Sequence, residues 1–170
     1  MDDGLEDELN RLSSDVAPEP ALTVAAFNEP VRKLLSKRAI SIDCQKTVLD
    51  AVRIMREHEF GAITVTEGGK LVGIFTERDL VVSVNRLDAL VSDVMTRDPV
   101  SLRESDPIIH AAHNMQVGGY RHIPIVDDED RPVSIVSIKD VVRYVLDFFS
   151  TEVANVLPEP HRGAKIREGA

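Results

Sequence analysis

The chain has 170 residues, of which 43% are hydrophobic, and a net charge of −9. It is long enough to bury a core, and no apolar run approaches the roughly 18 residues that span a bilayer. Cys44 is the only cysteine, which excludes an internal disulfide and a cysteine-rich zinc site, and it reads as a small core filler.

Residues 1–30 hold eight acidic residues and one basic residue, Arg11, so this segment carries −7 and the rest only −2. An acidic tail on a near-neutral body argues against nucleic-acid binding, which needs a basic face. Met1-Asp2-Asp3 does not read as a signal peptide, and cytoplasm is the expected compartment. Residues 1–26 are expected to form an acidic, disordered tail, and 151–170 a second tail. A short helix is expected from Glu29-Pro30, with proline in its first turn.

A repeat organises the rest. Shifted by 60 positions, Ile40-Ser41-Ile42 falls on Val100-Ser101-Leu102, Ala51 on Ala111, Met55 on Met115 and Phe60 on Tyr120. After one inserted residue near Asp130, Val72, Ile74, Thr76 and Asp79 meet Val133, Ile135, Ser137 and Asp140. The copies are bounded at 27–88 and 89–150. The first predicts a strand at Ala39–Ile42, a helix through Val48, Ala51, Val52 and Met55, and strands Ala62–Thr66 and Leu71–Phe75. A Glu67-Gly68-Gly69 turn joins those strands, and a helix starts at Thr76. The second predicts strand Val100–Leu102, helix Pro107–Val117, strands His122–Val126 and Pro132–Val136, and a helix from Ser137. Each small sheet has a face that needs cover, so the copies are expected to pack through a pseudo-twofold with clefts between them.

The most specific signature is strand–turn–helix: Val72-Gly73-Ile74-Phe75-Thr76-Glu77-Arg78-Asp79 and Val133-Ser134-Ile135-Val136-Ser137-Ile138-Lys139-Asp140. It sets a hydroxyl, free backbone N–H groups and a carboxylate at one helix mouth, a place suited to an anion and a ribose. Thr-x-x-Asp also resembles a capping box, and capping alone accounts for it in isolation. Two copies with a cation before each aspartate (Arg78, Lys139) favour ligand binding, because a cap needs no cation.

These motifs, with Tyr120-Arg121-His122-Ile123-Pro124-Ile125-Val126-Asp127, resemble a tandem pair of CBS (cystathionine β-synthase) domains from about Val31 to Leu146. The resemblance implies an α+β fold of two βαββα motifs related by a pseudo-twofold, a CBS pair or Bateman module. It implies a non-catalytic regulatory module that binds AMP, ADP, ATP or a related adenosyl ligand between the repeats, needs no other cofactor, and signals to a regulated protein. A homodimer is expected, with the aromatic run Tyr144–Phe149 as core or as dimer face. The alternative is an interaction or dimerisation module with vestigial clefts.

Two clefts follow from the resemblance. One joins Ser137, Lys139 and Asp140 to Lys37, Arg38, Ala39 and Ile40, with Asp140 on the ribose and Arg121 and His122 on phosphate. The other joins Thr76, Arg78 and Asp79 to Arg97, Pro99 and Val100, with Gly61 and Ala62 in place of the basic pair. The Asp140 cleft, richer in cations, is expected to be the tighter. Ser134 stands where the motif has glycine and is expected to narrow that cleft. His110 and His113 read as a solvent-facing pair and Gly68-Gly69-Lys70 as a hairpin turn. Thr76 and Ser137 lack the base a nucleophile needs.

Overall fold

A computed structural model describes residues 24–148. Most of the acidic tail, and 149–170 at the other end, lie outside the described residues. Helix α1 (Val24–Phe27) runs across the boundary expected at residue 26. Two half-copies follow: β1 (Ser41–Asp43), α2 (Val48–His58), β2 (Ala62–Glu67), β3 (Lys70–Thr76) and α3 (Glu77–Ser83); then β4 (Thr96–Arg97), β5 (Leu102–Arg103), α4 (Ile108–Gly118), β6 (His122–Val126), β7 (Pro132–Ser137) and α5 (Ile138–Phe148). Single 3₁₀ turns, Val31–Leu34 and Val91–Asp93, precede each copy. The expected leading helix is thus one 3₁₀ turn, with Pro30 capping it in an extended conformation.

The repeat is visible in three dimensions. In each copy the first strand is parallel to the second, and the second is antiparallel to the third. The hairpin register slips at the same place, between Val65 and Thr66 and between Ile125 and Val126. The β2–β3 turn puts Gly68 and Gly69 at φ +58° and +82°, a left-handed pair that glycine adopts without steric cost. Helices α2 and α4 turn the expected residues inward: Val48, Ala51 and Met55 in one, Ile108, Ala111 and Met115 in the other.

The copies exchange their lead-ins. Val31 and Leu34, in the lead-in of copy 1 before β1, are buried in the core of copy 2 with Ile108, Ile123 and Val136. Val91 and Met95, which precede copy 2, are buried in the core of copy 1 with Val48, Ile63, Phe75 and Cys44. Matching backbone bonds fasten both: Val31 N–H to Asp106 (2.7 Å) and Ile108 N–H to Glu29 (2.8 Å); Val91 N–H to Lys46 (2.8 Å) and Val48 N–H to Ala89 (2.9 Å). Val31 and Val91 are fully buried, and burying each contributes roughly 1.5–3 kcal/mol. Neither core is complete without the other copy's lead-in, so the two copies form one folding unit.

The exchange moves the first strands from their expected places. Ala39 donates to Val133 at 2.9 Å and Arg38 bridges Ser134, so the expected start of strand one joins the far edge of the second sheet. Strand β1 itself begins two residues later, at Ser41. In the same way Thr96 and Arg97 add to β3 opposite Ile74 and Gly73, and make the first sheet four-stranded. Val100 lies before β5 rather than in it.

Candidate functional site

The lead-in exchange creates two clefts, each bounded by the helix mouth of one copy and the lead-in of the other. The first, about 330 Å³, gathers Thr76, Arg78 and Asp79 with Arg97, Pro99 and Val100. The second, about 410 Å³, gathers Ser137, Lys139 and Asp140 with Lys37, Arg38, Ala39 and Ile40. These residues, expected at two helix mouths, line two separate clefts, whereas Ala62, expected with Asp79, lines the Asp140 cleft.

Both signatures are capping boxes. Asp140 Oδ2 accepts the Ser137 N–H at 2.8 Å and the Ser137 hydroxyl at 2.6 Å, and the Asp140 N–H points back to Ser137 Oγ at 3.4 Å. Asp79 does the same for Thr76, at 2.8, 2.7 and 3.5 Å. Capping and ligand binding are therefore compatible roles, because each cap uses one carboxylate oxygen. Among the described residues the other oxygen of Asp140 meets only Arg143, at 3.1 Å, through a guanidinium that is itself exposed. Thr47 and Asp50 build a third capping box, at α2. There the hydrogen bonds from the Thr47 hydroxyl and N–H hold the Asp50 carboxyl below its ordinary range. Neither of these two residues lines a cleft, so the box by itself does not mark a site.

Charge separates the clefts. Five cations and three carboxylates line the Asp140 cleft, with His122 besides; three cations and three carboxylates line the Asp79 cleft. Among the described residues, Arg38, Arg121 and Lys139 make no ion pair, and Lys37 only places its ammonium 4.8 Å from the centre of the Phe60 ring. In the Asp79 cleft, Arg97 is turned aside to donate to the Ser92 carbonyl at 2.6 Å.

The structure alters two details of the expected arrangement. Arg121 and His122 line both clefts, as does Gly61, while Ala62 belongs to the Asp140 cleft. The basic pair is a wall shared by the two clefts. Gly61 accepts the first N–H of α3 (3.0 Å) and Arg121 that of α5 (2.9 Å). Ser134 does not narrow the cleft either. It is buried, and its hydroxyl donates to the Lys37 carbonyl at 2.6 Å, fastening the lead-in that carries Lys37 to Ile40. At the matching position a Cβ on Gly73 would overlap Met95 Sδ, so that glycine makes room for a lead-in side chain, not for a ligand.

Burial and the neighbouring Arg121 push the His122 pKa below its ordinary value, against a smaller pull from Glu77 and Asp140. His122 is therefore neutral at pH 7, a hydrogen-bonding group rather than a fixed charge.

Several further lining residues escaped the sequence reading, three of them informative. Phe60 stands in the Asp140 cleft and Tyr120 in the Asp79 cleft, two aromatics that the 60-residue offset had already paired. Glu77 faces both clefts, at a position that the Thr-x-x-Asp motif leaves open. Of the expected dimer run, Tyr144 is half-buried and donates to the Ala26 carbonyl at 3.0 Å, Leu146 is exposed, and residue 149 lies outside the described residues.

Comparison with known proteins agrees with this architecture. The CBS domain family model matches residues 31–86 and 91–147. A 17.7 kDa protein of Acidianus ambivalens is 31% identical over 69% of this chain and 73% of its own length. The L-aspartate semialdehyde sulfurtransferase of Methanocaldococcus jannaschii is also 31% identical, over 66% of this chain. The chain spans only 22% of that enzyme's length. The CBS domain pair of protein MJ0100, crystallised with 5'-methylthioadenosine and S-adenosyl-L-methionine, superposes with a TM-score of 0.64 at 29% identity. That superposition covers 68% of this chain and 98% of that one.

Proposed function

Since the chain belongs to the CBS-domain family and carries two CBS domains in tandem, we propose that it is a regulatory module that binds an adenine nucleotide or related adenosyl ligand between its copies and passes the signal to a partner protein. The observation that carries this reading is the Asp140 cleft. Arg38, Arg121 and Lys139, unpaired among the described residues, surround a carboxylate whose cap occupies only one oxygen. Five cations against three carboxylates leave this cleft net positive, which favours an anion, and charge-assisted bonds to phosphate are strong. In this reading Asp140 Oδ1 accepts the ribose hydroxyls. Arg121, Lys139 and His122 meet the phosphate, and the Ala39–Ile40 backbone flanks the base. The two adenosyl compounds held by the MJ0100 pair support the nucleoside part.

The Asp79 cleft, with balanced charge, suits an uncharged adenosyl group or a weaker second nucleotide. A second copy of the chain is the proposed assembly partner. Val81 and Val82 on α3 are 75% and 83% exposed and Val142 on α5 is 49% exposed, apolar area of the kind that marks an interface. We assign the chain no catalytic step.

A thermal-melt screen against AMP, ADP, ATP, S-adenosylmethionine and guanine nucleotides, with and without Mg²⁺, tests the reading. A ligand at about 100 times its Kd adds roughly 2.7 kcal/mol, about 5–10 °C for a chain of this size. A selective adenosyl shift supports a sensor. No shift with any of them leaves an interaction module with vestigial clefts.

A further inference from the structure

The wall between the clefts carries one group that works against the proposed phosphate contacts. Glu77 is the first residue of α3, and with Gly61, Arg121 and His122 it lines both clefts. At the equivalent place copy 2 has Ile138, so only one carboxylate enters this wall. Its position is specific: the Glu77 carboxyl carbon lies 3.3 Å from where a Cβ on Gly61 would stand. The missing side chain of Gly61 leaves room for the carboxylate beside β2. Glu77 forms no ion pair or side-chain hydrogen bond among the described residues, although Arg121 shares both clefts with it. Asp79 and Asp140 face the helix caps, Glu59 lines the Asp140 cleft alone and Asp98 the Asp79 cleft alone. Glu77 is therefore the carboxylate that every phosphate chain at Arg121 and His122 must approach.

We infer that Glu77 sets the phosphate number of the ligand: it admits a nucleoside monophosphate and disfavours the triphosphate. This rests on the adenine-nucleotide reading and deepens it. A first phosphate is held by the cations around the helix mouth. Each added phosphate brings another negative charge toward the shared wall, where Arg121 offsets only one. At a separation of about 7 Å, one extra charge weakens binding roughly 3-fold at the dielectric of water and roughly 50-fold at that of a protein surface. A factor of about 10 is the expected middle, smaller at high salt.

The test is calorimetric titration of the full chain, and of Glu77→Gln, with AMP, ADP and ATP at fixed ionic strength without Mg²⁺. Glu77 is exposed and its capping partners are elsewhere, so the isosteric change leaves the fold intact. The expected result is a rise of about 10-fold in the ADP-to-AMP affinity ratio in the variant and a larger rise in the ATP-to-AMP ratio, with AMP itself moving less than about 3-fold. An unchanged ratio, or an equal gain for all three nucleotides, overturns the inference while leaving nucleotide binding in place. Should the wild type bind none of the three, the adenine reading fails, and tripolyphosphate against orthophosphate then decides the filter. Tripolyphosphate binding tighter to Glu77→Gln than to wild type, with orthophosphate unaltered, upholds it; equal binding to both proteins refutes it.

Discussion

Asp140 is asked to do two things, and substitutions separate them. Its Oδ2 takes the Ser137 N–H and hydroxyl, while Oδ1, among the described residues, meets only exposed Arg143. Alanine removes the carboxylate half of the capping box, while the residue-140 N–H can still meet Ser137 Oγ. The half-buried Ser137 N–H then has no acceptor, which costs about 1–2 kcal/mol. The exposed Arg143 pair adds at most about 0.5 kcal/mol. At about 2–4 °C per kcal/mol for a chain of this length, Asp140→Ala lowers Tm by roughly 2–8 °C, so alanine is a poor probe of the ligand role. Asparagine retains an acceptor for the Ser137 N–H but loses the charge. Asp140→Asn should therefore keep most of the Tm and lose the charged bonds to the ribose, worth about 1.5–3 kcal/mol. That weakens Kd about 10- to 100-fold and cuts the ligand-induced shift to half or less at the same concentration. Both readings come from circular-dichroism melts with and without AMP. An unchanged Tm in Asp140→Ala refutes the capping argument. A full AMP shift in Asp140→Asn refutes the ribose assignment.

Other substitutions test the remaining links. Asp50→Ala removes a capping box outside both clefts; it should lower Tm and leave the ligand shift intact in the same melts. The Asp50 and Asp127 carboxyls are held below their ordinary value of 3.8, so their stabilisation is present above that value. It is lost as pH falls through their folded pKa, so acid melts should show the loss below pH 3.8. For His122 the folded pKa is depressed below 6.5, so the folded state resists protonation. Stability should fall as pH drops below 6.5, and His122→Asn should flatten that slope in urea titrations. Because a bound phosphate favours the imidazolium, wild-type affinity for AMP should gain on His122→Asn as pH is lowered from 7 to 6, measured by calorimetry. Gly73→Ala must displace buried Met95 and should cost about 1–3 kcal/mol in urea denaturation, whereas Ser134→Gly should cost about 1 kcal/mol by losing its bond to Lys37.

The 60-residue repeat, the helical faces of α2 and α4 and both strand–turn–helix signatures were legible because each is local. Period, turn glycines and an i, i+3 hydroxyl–carboxylate pair depend only on near neighbours in the chain. Legibility failed at Ala39, Val100, Thr96 and Arg97. Their apolar or extended character is real, but their partners lie on the other copy's sheet, and no local pattern encodes that. The role of Ser134 was misjudged for the same reason: the carbonyl it bonds belongs to Lys37, 97 residues earlier.

The sequence by itself determined that two like units exist, where their helices are capped, and which hydroxyls, carboxylates and cations stand at the helix mouths. Only the tertiary structure decided how those units share. Each core needs the lead-in of the other copy to exclude water from its apolar face, and that exchange carries Lys37–Ile40 to α5 and Arg97–Val100 to α3. It also sets Arg121, His122 and Glu77 into one wall between two clefts. Burial drives that arrangement across the whole chain, so the charge balance of each cleft depends on residues that are neighbours only after folding.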